Sequence, residues 1–364
     1  MKIAIVHYWL VKMRGGEKVL ENICRAYPDA DIYTHVYNKK NISKTINSHT
    51  IKTTLINKLP FSKHLYKYYL FLMPYALKIL DLREYDLIIS SESGPSKGFL
   101  KNKKSFHICY CHSPMRYLYD MKSEYLNKYN FFFKKIINLF FNYLQKWDFK
   151  TSQNIDLIIA NSKFVSKRVK KYWVKDSVVI NPTINLNEFS ISKNKKSYYI
   201  VLSELVSYKR IDIAIESFNK NKKELYVIGS GSLLKKLKEN SKKNIKFLNN
   251  VSDIQKASYL SNAQALIFPG IEDFGITPLE SLASGTPVIA FKKGGVLDYL
   301  EENKNAIFFN KQTSNSLNRA LIRFEEKEQK FNANTLRNTV LEFSNERFTD
   351  KFKKIVNMNL NYEN

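Results

Sequence analysis

Two series of short apolar runs constrain this chain more than any other feature of its sequence. Residues 3–6, 32–36, 86–90, 106–111, 156–160 and 178–180 make the first, and residues 198–202, 225–228, 245–248, 265–268, 288–290 and 306–309 the second. A short, mostly apolar run without polar alternation is the pattern of a strand buried on both faces, and helical patterns lie between successive runs. Strands alternating with helices build parallel sheets covered on both sides, so the chain is read as α/β with two Rossmann-like domains. The expected boundaries are 1–184 and 198–345, with the polar, Asn- and Lys-rich stretch 185–197 as linker and 346–364 as a terminal helix returning toward the N-terminal domain. A length of 364 residues suits two cores. Sheets of this kind take their ligand at the carboxyl ends of the strands, which predicts a cleft lined from both halves.

Charge narrows the partners without choosing one. Lys and Arg number 59 against 33 Asp and Glu, a net +26 that invites a nucleotide, a nucleic acid or an anionic membrane surface. Lysine dominates the excess, alongside much Asn, Ile, Tyr and Phe, so part of it reflects compositional bias. Three cysteines, at 24, 109 and 111, argue against a disulfide framework and for a reducing compartment. Cys109-Tyr110-Cys111-His112 has metal-ligand residue types, but the cysteines sit in a strand-like run and no second ligand pair follows, so no metal is expected. The first strand begins almost at the first residue and no 18-residue apolar span occurs. The expectation is a cytoplasmic protein, peripheral on the inner face of the cytoplasmic membrane.

The densest motif is Glu272-Asp273-Phe274-Gly275-Ile276-Thr277-Pro278-Leu279-Glu280, two glutamates eight positions apart straddling a loop and a helix start. Thr277 and Glu280 also fit a capping box with Pro278 at the first helical position. A helix N-terminus favours anions, which suits a diphosphate. Gly15-Gly16 joins a strand to a helix and Gly294-Gly295 opens another, both allowing close approach of backbone to phosphate. Lys209-Arg210 precedes a helix as a cationic clamp. His112, directly after a strand, stands where such sheets present their sites. Gly229-Ser230-Gly231 is only half of a dinucleotide fingerprint and does not support NAD binding.

Those residues together resemble the retaining GT-B glycosyltransferases of family 4, the glycosyl transferases group 1, over residues 2–348. The run Cys111-His112-Ser113-Pro114-Met115-Arg116-Tyr117 is similar to a mannosyltransferase-like subgroup acting on bacterial O-antigen and lipopolysaccharide. The resemblance implies transfer of a hexose, mannose from GDP-mannose, to a lipid-linked or lipopolysaccharide oligosaccharide, with no cofactor beyond the nucleotide-sugar donor. It implies catalytic roles for His112 and Glu272, and contacts to the donor from Gly15, Gly16, Lys209, Arg210, Phe274, Gly275, Ile276, Glu280, Gly294 and Gly295, with Glu280 on the ribose. Two departures stand out. Glu204 occupies the family's usual arginine position, leaving Arg210 as substitute, and Tyr8 stands where relatives often carry Asp. A sugar-nucleotide epimerase of the same architecture and a non-catalytic basic membrane- or nucleic-acid-binding module are the alternatives; neither accounts for the ordered motifs.

Two stretches, 61–80 and 127–147, interleave aromatic residues with lysines. Cationic, aromatic-rich amphipathic helices suit anionic headgroups at a membrane interface, whereas ordinary packing would turn the same stripe into the core. The partners expected are thus a nucleotide-sugar donor, a lipid-linked glycan acceptor and an anionic membrane surface, and not a nucleic acid.

Overall fold

The computed structural model describes residues 1–127, 129–249 and 251–360. It divides into two compact units: Met1–Pro182 together with the chain from Phe348 onward, and Thr183–Arg347.

The first unit is built on seven parallel strands: β1 (Ile3–His7), β2 (Asp31–Thr34), β3 (Ile51–Thr53), β4 (Leu87–Glu92), β5 (Phe106–Cys111), β6 (Leu157–Ala160) and β7 (Val178–Val179). Their order is β3-β2-β1-β4-β5-β6-β7. The order reverses between β1 and β4, the topological switch point at which open α/β sheets bind ligands. There His7 of β1 lies in register with Ser91 of β4, and Glu92 with Cys111 of β5. Every residue of β4 and β5 is buried, including the polar Ser90, Ser91, Glu92 and His107. The helix Asn345–Leu360 belongs to this unit's core: Phe348, Phe352 and Val356, spaced at four, pack with Leu20, Ile23 and Tyr110. Each buried side chain of that size is worth about 1.5–3 kcal/mol, enough to hold the chain's return.

The second unit has six parallel strands, β8 (Tyr198–Leu202), β9 (Glu224–Ile228), β10 (Ile245–Leu248), β11 (Leu266–Phe268), β12 (Val288–Phe291) and β13 (Ala306–Phe309), in the order β10-β9-β8-β11-β12-β13. Its switch point falls between β8 and β11.

Three expectations are corrected. Residues 185–197 are not a free linker, because Leu186 and Phe189 within them pack on the second core beside Ile184; their polar composition hides those two anchors. β3 was not anticipated, since Lys52 and Thr53 of this edge strand are exposed and leave little apolar signal. Residues 61–80 do not form one amphipathic helix. Phe61 takes a left-handed φ of 49°, and the chain continues as a short helix Ser62–Leu65, a 3-10 stretch Tyr66–Leu72 and a helix Met73–Lys78 with Pro74 in its first turn.

The second aromatic stretch is one long helix, Phe131–Ser152, capped by Asn130. Phe141 and Leu144 face the protein, whereas Phe131, Phe132 and Leu139 are 75%, 68% and 70% exposed. Phe61, Tyr68, Phe71 and Tyr75 of the other stretch are exposed too. Lys128 lies outside the described residues. No helix among the described residues is long and apolar enough to cross a membrane.

Candidate active site

In the second unit the strand ends at the switch point carry the charged motif residues. Lys209 ends the turn Ser207–Lys209 after β8, and Glu272 follows β11; the Lys209 ammonium and the Glu272 carboxylate form an ion pair. The two loops touch so closely that a Cβ on Gly270 would lie 3.0 Å from the Lys209 backbone. The ammonium also lies over the Tyr208 ring. Arg210 does not join this pair. Its left-handed backbone, φ 55°, turns the guanidinium onto Asp212 as a fork, with Nε–Oδ1 at 3.1 Å and Nη2–Oδ2 at 3.0 Å.

The helix Ile276–Ala283 begins on Gly275, with φ 90° and no side-chain cap. The capping box expected from Thr277 and Glu280 is therefore absent, because the left-handed glycine starts the helix two residues earlier than the Thr–Pro pair suggests. Glu280 lies inside the helix and is buried, with its Oε1 3.3 Å from Lys256 Nζ. Burial pulls the Lys256 ammonium down, but Glu280 and Asp253 outweigh it and hold its pKa above the usual lysine value. Gly294 and Gly295 serve the same loop. A Cβ on Gly294 would meet the Glu272 carbonyl at 2.7 Å, one on Gly295 the Asp273 carbonyl at 2.0 Å, and the Gly295 amide donates to Glu272 O at 2.9 Å. Phe274 turns its ring into the core against Tyr299 and Phe343, leaving its backbone as the part that borders the loop. Ile276, half-buried, supplies the first helical amide, at the end of the dipole that favours an anion.

In the first unit His112 extends from β5 at the switch point. Its backbone amide donates to the Glu92 carbonyl at 2.8 Å, and its Nε2 lies 2.9 Å from Ser91 Oγ. Ser91 Oγ in turn lies 3.0 Å from His7 Nδ1, and His7 Nε2 lies 3.5 Å from Glu17 Oε1. Burial, with His7 beside it, pushes the His112 pKa down to about 3, so the ring is neutral at physiological pH. Gly15 and Gly16 open the helix Gly15–Ala26; a Cβ on Gly16 would lie 2.5 Å from the Tyr8 hydroxyl and 3.7 Å from His112 Nε2. Tyr8 thus fills the space beside Gly16 and His112, and burial, then Glu17, raises its pKa well above the usual tyrosine value.

Beneath this cluster lies a fully buried charge triad. Lys97 donates to Glu92 Oε1 at 2.7 Å and pairs with Asp148, which also accepts from Tyr119 Oη and Trp173 Nε1, each at 2.7 Å. Ser96 completes Glu92 at 2.5 Å. Ser91, Glu92, Lys97, Lys256 and Asp212 were not singled out from sequence. The one available signal was the polar Ser90-Ser91-Glu92 ending of an apolar strand run. Among the described residues no three His, Cys, Asp or Glu side chains gather as a metal site.

Residues 13–188 match Glycosyltransferase Family 4, and residues 183–339 match Glycosyl transferases group 1. An uncharacterized glycosyltransferase of Methanocaldococcus jannaschii is 23% identical over 363 residues, 97% of this chain and 94% of that protein. The alpha-1,3/1,6-mannosyltransferase ALG2 of Dictyostelium discoideum is 25% identical over 66% of this chain and 67% of its own length. The O-antigen chain mannosyltransferase RfbU of Salmonella typhimurium is 29% identical over 42% of this chain and 46% of its own. Among solved structures, Anabaena HepE in complex with UDP superposes with a TM-score of 0.70 at 16% identity, over 98% of this chain and 100% of that one. Two parallel-sheet domains and two adjoining family matches make the chain a GT-B glycosyltransferase, a Family 4 domain followed by a group 1 domain.

Proposed function

We propose that the enzyme is a retaining mannosyltransferase that moves mannose from GDP-mannose to a lipid-linked or lipopolysaccharide oligosaccharide at the inner face of the cytoplasmic membrane. The acceptor hydroxyl oxygen forms the new bond to the sugar's C1 as the bond from C1 to the diphosphate oxygen breaks; the hydroxyl's proton passes to the departing diphosphate or to solvent, and the nucleoside diphosphate leaves. The observation that carries this reading is the unequal setting of the two motif glutamates. Glu272 sits partly buried on a loop against Lys209, whereas Glu280 is buried inside a helix; this supports assigning the Lys209 ammonium to the departing diphosphate and Glu280 to a ribose hydroxyl. Lys209 and the helix start at Ile276 take the part a divalent ion would otherwise play. Arg210, forked onto Asp212, is the weaker member of the clamp.

The mannose assignment draws on the names of ALG2 and RfbU, and the UDP held by HepE favours a second reading, a UDP-hexose donor. A donor panel decides between them. Nucleoside diphosphate release is expected with GDP-mannose and not with UDP-glucose, and the product anomer is expected to match the donor's by NMR; an inverted anomer would sink retention, and turnover of UDP-glucose alone would sink the mannose reading. Activity is also expected to persist in excess EDTA. Complete loss, restored by Mg²⁺ or Mn²⁺, would show that a metal carries the diphosphate charge.

A further inference from the structure

Buried polar side chains lead away from His112 in a chain. Glu17, His7, Ser91 and His112 follow one another through buried side chains: His7 Nδ1 lies 3.0 Å from Ser91 Oγ and Ser91 Oγ 2.9 Å from His112 Nε2, both hydrogen bonds, while Glu17 Oε1 faces His7 Nε2 at 3.5 Å, a charge contact outside hydrogen-bond geometry that leaves Nε2 without a hydrogen-bond partner among the described residues. Glu17 is itself fixed, because its other oxygen accepts the Arg14 amide at 3.0 Å. His112 Nδ1 has no hydrogen-bond partner among the described residues.

We propose that Glu17, His7 and Ser91 are positioning residues that decide which ring nitrogen of His112 carries the proton, holding Nε2 protonated and presenting a bare Nδ1 as an acceptor for a hydroxyl of the transferred sugar. The direction follows from the charge at the far end. A carboxylate only accepts, so Glu17 favours a proton on His7 Nε2. As the Nε2–H tautomer, His7 has a bare Nδ1, which accepts from the Ser91 hydroxyl. That hydroxyl, having given its one proton to His7, can only accept from His112, which therefore carries its proton on Nε2. Reversing the chain would put the lone pair of His7 Nε2 against the Glu17 carboxylate. A ring held neutral in this way accepts a hydrogen bond without taking the proton, which suits orientation of a sugar rather than general-base work.

The proposal rests on the reading that His112 meets the donor hexose, and its test separates the two. In uniformly ¹⁵N-labelled full-length protein, long-range ¹H–¹⁵N correlation reads the tautomer of each histidine directly, with His112 assigned by its loss in His112→Gln. His112 is expected as the Nε2–H tautomer in the parent. Ser91→Ala should mix the two tautomers and Ser91→Thr, which keeps the hydroxyl, should restore one. Glu17→Gln keeps an oxygen for the Arg14 amide but can donate to His7 Nε2, so it should shift His112 toward Nδ1–H. With GDP-mannose as probe, Ser91→Ala should lower kcat about tenfold, the loss of one oriented hydrogen bond, with little change in KM and recovery in Ser91→Thr. An Nδ1–H His112 in the parent, or a tautomer unmoved by both Ser91→Ala and Glu17→Gln, overturns the proposal. If no donor in the panel is turned over, the reading of the site fails, while the spectra still decide the chain.

Discussion

At the scale of the residue, lysines decide what each carboxylate can do. Glu280 is buried, with Lys256 standing 3.3 Å away. On the proposed reading its carboxylate accepts a ribose hydroxyl, a charge-assisted hydrogen bond worth about 1.5–3 kcal/mol. Glu280→Gln should therefore weaken GDP binding by roughly 10- to 100-fold in calorimetry while leaving the urea midpoint nearly unchanged, since Lys256 retains Asp253 at 3.4 Å; undiminished affinity would remove Glu280 from the nucleotide site. Lys97 poses the opposite case. Both its carboxylate partners, Glu92 and Asp148, are wholly buried with it, so Lys97→Met strands two carboxylates and should cost about 3–5 kcal/mol in urea unfolding. Lys2→Met, which breaks an exposed pair with Glu84, should cost less than about 1 kcal/mol. Equal effects would mean the triad is not held as described. The glutamates of the E-x7-E motif were legible because their fixed spacing straddles a Gly-containing loop and a Thr–Pro helix start directly after an apolar strand run. Their counter-ions were not: Lys256 is 24 positions from Glu280 and Lys209 is 63 from Glu272, and in so lysine-rich a chain no spacing marks which ammonium will arrive.

At the scale of the element, apolar runs marked most strands, and local backbone chemistry explains where the marks misled. Gly275 can start a helix in a left-handed conformation that a Thr–Pro pattern does not announce, and Phe61 breaks a helical stripe that residue types alone would continue. The helix Phe131–Ser152 leaves a different question, since its first half exposes large apolar side chains that soluble surfaces rarely group together. Lys134 and Lys135 sit among them, Lys135 over the Phe131 ring at 4.5 Å. We propose that this face meets an anionic bilayer, where each lysine would contribute on the order of 1 kcal/mol, screened by salt. Replacing Lys63, Lys67, Lys134 and Lys135 by Gln should reduce sedimentation with anionic liposomes at low salt and leave thermal stability nearly unchanged. Absence of any anionic preference in the parent would assign the face to another partner.

At the scale of the whole molecule, titration is distributed unevenly. All six histidines lie at or before position 112, within the first unit, and the second unit has none. Five of them are buried, and for three, His35, His107 and His112, burial pushes the pKa down to about 3. The folded unit therefore keeps these rings neutral where the unfolded chain, with histidines near their ordinary pKa of about 6.5, takes up protons. As pH falls from about 6.5 toward 3 the unfolded state binds more protons than the folded one, so stability drops, by up to about 4 kcal/mol per pH unit once all three contribute. Above that window the three groups make no difference. The three tryptophans, at 9, 147 and 173, lie in the same unit, so tryptophan fluorescence follows its unfolding alone while far-UV circular dichroism follows both units. Urea midpoints measured by fluorescence should be steady between pH 8.0 and 7.0 and fall markedly by pH 5.5, and the circular-dichroism transition should broaden or split as the second unit lags behind. A fluorescence midpoint that holds or rises between pH 7.0 and 5.5 would mean the imidazoles are not held neutral. His112 would then be available to take a proton, and the reading of its ring as a neutral acceptor at the sugar would fall with it.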